Sequence, residues 1–286
     1  MSMLQQSMKI GFIGQGWIGK NYADDFENRG YCVVRYSLEE PFVHNKSAIA
    51  NCGITFIAVP TPSTPAGFDD SFVVDALTCI GQGNVAVIKS TTIPGLVASL
   101  QELFPNVIIL HSPEFLVEKT AAYDAAHPNR NIIGIPLDNE GYQAAAQKVL
   151  DVLPGAPFNS VMSSNDSELV KYAGNCFLYT KVLFMNILYD LVERSGGSWE
   201  QVRKGLIHDP RIGVSHTNPV FDTGRGAGGH CFIKDFEAFR QYYKEVIGED
   251  KALALLTAQV AYNNGLLRES NKDIDLLEGV YGDEII

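Results

Sequence analysis

Several scarcities bound this 286-residue chain. Cysteine occurs five times, as Cys32, Cys52, Cys79, Cys176 and Cys231. The count is odd and no pair has C-x-x-C spacing, which argues against a disulfide framework and for a reducing compartment. The six histidines lack metal-ligand spacing, so no metal site is expected. Basic residues number 22 against 33 acidic ones, for a formal net charge of −11. That argues against a nucleic-acid surface, which needs a basic stripe. It does not exclude a phosphorylated ligand, because helix N-termini and backbone amides hold anions in acidic proteins. No apolar run approaches the ~20 residues of a membrane span. The opening residues 1–8 (MSMLQQSM) lack the apolar core of a signal peptide. A cytoplasmic protein without membrane or nucleic-acid partners is the expectation. No internal repeat or low-complexity segment is present. Hydrophobic residues at 46 % and charged ones at 19 % are ordinary for a globular chain, so a sizeable core in one or two domains is available.

The first half alternates short apolar runs with helical patterns, the mark of an α/β fold with a parallel sheet. Strands are predicted at 9–13, 31–36, 54–59, 85–89, 107–110 and 131–135, with helices at 18–29, 69–80, 94–104 and 139–150. The strands are nearly uninterrupted apolar runs, as for strands covered on both faces, and together they predict a Rossmann-type doubly wound sheet. After about residue 157 the pattern turns helical. One long helix is expected over 165–194, a second over 199–207, a Gly-, Pro- and Asn-rich loop over 208–229, and helices over 235–246 and 250–271. The acidic tail beyond 271 is expected to fray. The domains are thus read as 1–160, binding NAD(P), and 161–286, an all-helical central domain.

Gly14-Gln15-Gly16-Trp17-Ile18-Gly19 follows the first strand and opens the first helix, the context that gives G-x-G-x-x-G its meaning. Gly14 allows the tight turn, Gly16 lets a pyrophosphate approach the backbone, and Gly19 lets the helix pack close to the strand. The competing possibility is a glycine-rich turn without a ligand. At the end of the second strand, where an NAD site usually carries Asp or Glu, stands Ser37, preceded by Arg35 and followed by Glu39 and Glu40. Ser37 with Arg35 suits the 2′-phosphate of NADP. If Arg35 is merely solvent-exposed and Glu39 serves the ribose, the cofactor is NAD, which is put first.

In the second half, Gly226-Ala227-Gly228-Gly229-His230-Cys231-Phe232-Ile233-Lys234-Asp235 is the most informative stretch. Glycines before a cysteine let a ligand come close to the backbone. If Cys231 starts a helix, Lys234 and Asp235 lie on its side, and a helix N-terminus with a nearby ammonium favours a nucleophilic thiolate. The alternative, a buried structural cysteine, is the reading for Cys32, Cys52 and Cys79. Lys171 and Asn175 share a face of the long helix and could bond an oxyanion, or be a solvated surface pair. Glu114 and Glu118, in Ser112-Pro113-Glu114-Phe115-Leu116-Val117-Glu118, follow a strand end, where open α/β sheets bind ligands. An acidic first helical turn accounts for them equally well. Thr91, in Lys89-Ser90-Thr91, could face the cofactor crevice.

Together with Val59-Pro60-Thr61-Pro62, Lys171-Tyr172-Ala173-Gly174-Asn175 and Asp209-Pro210-Arg211-Ile212-Gly213, these stretches resemble, in family order, the UDP-glucose/GDP-mannose dehydrogenase family. The resemblance spans roughly residues 8–265. It implies oxidation of a nucleotide sugar's primary alcohol to a carboxylate with two NAD⁺. Cys231 would attack the intermediate aldehyde on the way to a thioester. Lys171 and Asn175 would stabilise the oxyanion, and Asp235 and Thr91 would hold water and assist proton transfer. Glu114 would act as general base, with Glu118 supporting it. The cofactor would meet Gly14, Gly16, Trp17, Ile18, Gly19, Ser37, Pro60, Thr61, Thr91 and Lys234. The sugar nucleotide would meet Glu114, Phe115, Leu116, Lys171, Asn175 and Gly228. Arg211 would reach a sugar in the neighbouring subunit, although its spacing to Cys231 is longer than usual. The central helix would form a homodimer. The chain stops soon after residue 270, where the family continues into a third domain covering the nucleotide, so that domain is expected to be absent. Two alternatives stay open: a two-electron β-hydroxyacid or 6-phosphogluconate-type dehydrogenase, and a nucleotide-binding module without turnover.

Overall fold

The computed structural model describes residues 8–282. The polar opening before Met8, read above as lacking a leader, and the last four residues of the acidic tail lie outside the described residues. The chain divides into two compact units, one formed by residues 1–61 and 69–171, the other by 62–68 and 172–286.

The first unit is built on a seven-stranded sheet: β1 (Lys9–Ile13), β2 (Cys32–Tyr36), β3 (Ile54–Ile57), β4 (Val85–Ile88), β5 (Ile108–His111), β6 (Arg130–Ile135) and β7 (Phe158–Ser163), in the order β2-β1-β3-β4-β5-β6-β7. The first five strands are mutually parallel and β6 is parallel to β7. β5 and β6 pair antiparallel, through His111 and Gly134. The sheet is therefore parallel-dominated and mixed rather than wholly parallel, because the 112–129 connection returns the chain in the opposite direction. β7 escaped the apolar-run reading because this edge strand is only half-buried at Ser160, Val161 and Met162 and exposed elsewhere, so it carries no continuous apolar signal. The helices are α1 (Trp17–Asn28), α2 (Lys46–Ile49), α3 (Ser71–Leu77), α4 (Leu96–Leu103), α5 (Ala121–Ala126) and α6 (Glu140–Val152), followed by the start of the long α7 (Ser164–Arg194).

One face of the sheet buries Phe12 and Phe56, stacked with centroids 5.1 Å apart, against Phe26 of α1, 5.3 Å from each. The other buries Ile13, Ile57, Ile88 and Ile109 against Val73, Leu77, Val97 and Leu100 of α3 and α4. Both faces are covered, which explains the uninterrupted apolar runs. Because β1 lies between β2 and β3, the winding direction switches between β1 and β3, and ligands of open α/β sheets bind in the crevice at such a point.

The second unit comprises the rest of α7, then α8 (Trp199–Ile207), α9 (Gly229–Val246), α10 (Lys251–Glu269) and α11 (Ile274–Tyr281). It is not purely helical. Two-residue antiparallel pairs join Ser63–Thr64 to Gly67–Phe68 and Val220–Phe221 to Gly224–Arg225. The tail does not fray as expected. Asp273 starts α11, whose Leu277, Val280 and Tyr281, at helical spacing, are buried in the unit's core. That core also stacks Tyr179 on Phe236, 3.9 Å between centroids.

Candidate active site

In the first unit, four of the sequence-predicted segments leave strands at the same carboxyl edge of the sheet: Gly14 to Gly19 after β1, Val59-Pro60-Thr61 after β3, Lys89-Ser90-Thr91 after β4 and Ser112 to Glu118 after β5. Gly14 sits at φ +88°, open to glycine, and its N–H donates to Tyr36 O at 2.9 Å. A Cβ on Gly19 would collide with the Gly14 carbonyl, so the helix packs as closely as the sequence suggested. A Cβ on Gly16 would meet nothing within 4 Å. Gly16 also caps α1 without any side-chain hydrogen bond. The start of α1 thus presents uncapped amides to open space, a cradle suited to a pyrophosphate. Trp17 and Ile18 are half-buried beside it, Thr61 is buried and Pro60 is exposed.

The ribose end discriminates between cofactors. Ser37 Oγ donates to the Glu39 carbonyl at 2.9 Å. Arg35 is not the solvent-exposed side chain allowed for above. Its guanidinium sits 2.6 Å from Asp24 and 2.7 Å from Glu27. Burial opposes its charge, but these two carboxylates outweigh burial and raise its pKa. An arginine already neutralised by two acids has little attraction left for a 2′-phosphate, so the residues fit NAD.

Behind this edge lies a buried polar group. Glu114 is not in a helical turn, as an acidic first turn would require; the 3-10 turn begins only at Glu118. Its carboxylate receives Lys171 Nζ at 2.6 Å and Leu116 N at 2.8 Å, and its carbonyl receives Lys171 Nζ at 2.9 Å. Lys171 is 5 % exposed, which removes the solvated-surface reading of this lysine. Glu118, four residues on, is exposed, whereas Glu114 is buried. Phe115 lies under the Arg130 guanidinium, 3.7 Å from centroid to carbon, and Leu116 is half-buried. Thr91 is buried.

The first turns of α7 supply residues that sequence reasoning missed. Glu168 accepts the Gly95 and Val97 amides at 2.7 and 3.0 Å and so caps α4 from outside. Burial raises its carboxyl to about 7, although the bonds from Val97, Gly95 and Thr92 pull the other way. Ser167 Oγ bonds His111 Nδ1 at 2.7 Å, and His111 Nε2 bonds Thr92 Oγ1 at 3.4 Å. Burial, then Lys89 and Lys171, lower His111 to about 3, so it is neutral. Glu168 stands three residues before Lys171 on one helix, and that spacing was the available signal.

In the second unit, α9 begins at Gly229, six residues earlier than predicted; glycine tolerates the φ of +80° with which the chain enters the helix. Cys231 therefore lies in the first turn of an 18-residue helix, half-buried. A helix N-terminus favours thiolate. Asp235, one turn on and 1 % exposed, receives Asn175 Nδ2 at 2.5 Å and Lys234 Nζ at 2.6 Å. Lys234 is further tied by its carbonyl, which accepts Ser63 Oγ at 3.1 Å. The loop before the cysteine is held from behind by residues the sequence did not flag. Asn263 bonds Ala227 N and O at 2.7 and 3.1 Å, and Asp273 accepts Gly229 N at 2.7 Å. Lys272 Nζ meets the carbonyls of Phe221, Gly224 and Gly226 at 3.2 to 3.4 Å. A Cβ on Gly228 would strike the Asp273 carboxylate, which is why this position is glycine.

The other cysteines are Cys52, Cys79 and Cys176, buried, and Cys32, which is exposed rather than structural core. Arg211 is exposed and its side chain folds back on Asp209 at 2.6 Å. Among the described residues no cluster of His, Cys, Asp and Glu is placed to hold a metal ion, and no helix is long and apolar enough to cross a membrane.

Comparison with known proteins identifies the family. Residues 36–151 match the model described as "UDP-glucose/GDP-mannose dehydrogenase family, NAD binding domain", and residues 165–264 match that family's central domain. The chain is 37 % identical over 199 residues to a UDP-glucose 6-dehydrogenase of Rickettsia conorii, covering 66 % of this chain and 44 % of that protein. It is 32 % identical over 246 residues to one of Rhizobium meliloti, covering 80 % and 54 %. The chain thus spans about half the length of the curated relatives it matches. Among solved structures, a UDP-glucose dehydrogenase from Pyrobaculum islandicum superposes with a TM-score of 0.80 at 28 % identity, covering 97 % of this chain and 72 % of that one.

Proposed function

Because the chain belongs to the UDP-glucose/GDP-mannose dehydrogenase family, we propose that it oxidises the primary alcohol of a nucleotide sugar to the carboxylate in two NAD-dependent steps through Cys231. The observation that carries this reading is Cys231 in the first turn of α9 with Asp235 one turn on, its carboxylate fixed by Asn175 and Lys234. A two-electron dehydrogenase needs no cysteine there.

Gly14, Gly16 and Gly19 would hold NAD⁺ at the start of α1, and bound there it would supply the hydride acceptor for both oxidations. The alcohol gives its hydroxyl proton to the water held by Asp235 and Thr91 and loses one hydride to give an aldehyde. The Cys231 thiolate adds to the aldehyde carbon and forms a C–S bond, and the oxygen becomes an alkoxide. Lys171 and Asn175 stabilise this charge, since preorganised donors aimed at developing charge lower the barrier. Loss of the second hydride leaves a thioester. Glu114, as general base, takes a proton from water, the water oxygen attacks the acyl carbon, and the C–S bond breaks to release the carboxylate and the thiol. Asp235 and Thr91 orient that water and assist the proton. Phe115, Leu116 and Gly228 line the sugar.

The proposal extends to a homodimer. On α7, Phe177, Phe184, Ile187 and Leu191 lie near one helix face and are 68, 57, 54 and 63 % exposed. Such a stripe is an interface signature. Arg211 would reach the sugar bound by the neighbouring copy.

Incubating the purified chain with UDP-glucose, GDP-mannose or a UDP-N-acetylhexosamine and NAD⁺ tests the reading. Two reduced cofactors per sugar, abolished by Cys231→Ala, are expected. One per sugar would place the chain among two-electron dehydrogenases, and bound cofactor without turnover would favour a nucleotide-binding module.

A further inference from the structure

We propose that the first unit holds a second ligand site, for a small organic oxyanion, in the cavity between α1, the ends of β4 and β5 and the turn before β6, with Lys89 as its anchor. The cavity measures about 260 Å³ and is walled by Tyr22, Lys89, Ser112, Phe115, His127 and Arg130 among others. No residue of the Gly14 to Gly19 loop lines it, nor do Thr61 or Thr91, so it is separate from the dinucleotide cradle; Phe115 and Leu116, read above as meeting the sugar, also form part of its wall, but Glu114 and Lys171 do not.

The charge balance of the wall points to an anion. Lys89 is 3 % exposed, and its Nζ has only two long bonds, both 3.3 Å, to Ser112 O and Oγ, while resting 4.1 Å over the Tyr22 ring. Among the described residues it has no ion-pair partner. The acid it senses, Glu114, is already engaged by Lys171 and by the Leu116 amide. Two buried ammoniums therefore share one carboxylate, and an uncompensated buried charge is costly. Burial accordingly lowers Lys89 to about 7; Glu114 opposes that shift and Lys171 adds to it. The neighbouring His111 is neutral and cannot compensate.

A second cation, Arg130, stands at the rim over Phe115. The one carboxylate in the wall, Asp124, already accepts Val117 N at 3.0 Å and Thr120 Oγ1 at 2.7 Å. In a chain of net charge −11, this wall carries two basic side chains, Lys89 and Arg130, against one carboxylate. Phe115, Leu116, Pro113 and Pro128 give it apolar walls, and it exceeds the volume of a bare ion. A compact carboxylate or phosphate ester fits: its oxygens on Lys89 and Arg130, its few carbons against Phe115 and the prolines.

The test does not depend on turnover. The whole chain is titrated by calorimetry at pH 6.5 with inorganic phosphate, glycerol 3-phosphate and malonate, with glycerol as the neutral control. Saturable binding of an anion is expected, weakened about tenfold or more by Lys89→Met and less by Arg130→Met, with NAD⁺ affinity unchanged. Binding should also weaken from pH 6 to 8.5 as Lys89 loses its proton. Tighter glycerol 3-phosphate assigns a phosphate ester, tighter malonate a carboxylate. No saturable binding of any anion, equal binding by Lys89→Met, or parallel loss of NAD⁺ affinity would overturn the site. Should Lys89→Met fail to fold, ¹³C-methylation of the wild-type lysines gives a second readout. The Lys89 signal is expected to titrate well below the ordinary lysine range in the free chain and must move to higher pH with the anion; no movement overturns the proposal.

Discussion

Lys171 holds Glu114 twice, donating to its carboxylate at 2.6 Å and to its backbone carbonyl at 2.9 Å, with both side chains out of solvent. One ammonium thereby sets both the position of the acid and the course of the backbone that carries it. Lys171→Met would leave the carboxylate buried without its counter-ion, at a cost of ~3–5 kcal/mol. Urea unfolding of the variant checks this. A loss below ~1 kcal/mol, the worth of an ordinary surface pair, would show that the pair contributes little to the fold.

Glu168 makes stability depend on pH. Its folded carboxyl lies at about 7 against an ordinary 4.5, so the folded state binds the extra proton between those values. Its contribution is complete below about 4.5 and is lost as pH rises through about 7. The wild type should lose urea resistance between pH 5 and 8, and Glu168→Gln should flatten that dependence. Parallel curves for the two proteins would sink the assignment.

The Arg35 guanidinium is already occupied by two carboxylates. Removing its partners with Asp24→Asn and Glu27→Gln should free the guanidinium for a 2′-phosphate and improve NADP⁺ binding relative to NAD⁺ about tenfold, ~1.4 kcal/mol. Fluorescence titration of both cofactors reads the ratio. An unchanged ratio would mean that Arg35 does not face the ribose.

Asp235→Ala should lower turnover of a nucleotide sugar by about 10²–10³, the usual effect of losing one preorganised polar group in a site. Alkylation of Cys231 by iodoacetamide, followed against pH, separates a lost water-holding role from an altered thiol.

The end of the described chain belongs to the core. Leu277 is 0 % exposed, so Leu277→Ala should cost ~2–5 kcal/mol. Thermal unfolding would show it, and a change near zero would restore the idea of a frayed tail.

Much of this protein can be read from local pattern. Strand runs covered on both faces, the glycine turn opening α1, and the 3.6-residue periodicity of α7 are sequence-local signals, and they appear within a few residues of the expected bounds. The Cys231 loop was legible for the same reason: glycines crowded before a cysteine constrain the backbone whatever surrounds it. What escaped depended on partners distant in the chain. β7 lacks an apolar run because it is an edge strand. The reversed β6 follows from where the 112–129 connection leads, not from its composition. The tail became α11 because a core was waiting for Leu277 and Tyr281.

The same division runs through the site. The sequence by itself determined which residue types stand at the strand ends and in the first turn of α9, since those positions follow from strand, turn and helix chemistry. Only tertiary structure decided their electrostatic state. Arg35 is neutralised by acids 8 and 11 residues away, Glu114 is paired across 57 residues, and Lys89 has no ion-pair partner among the described residues. Charge interactions depend on distance in space and on burial, and neither is a property of neighbouring letters.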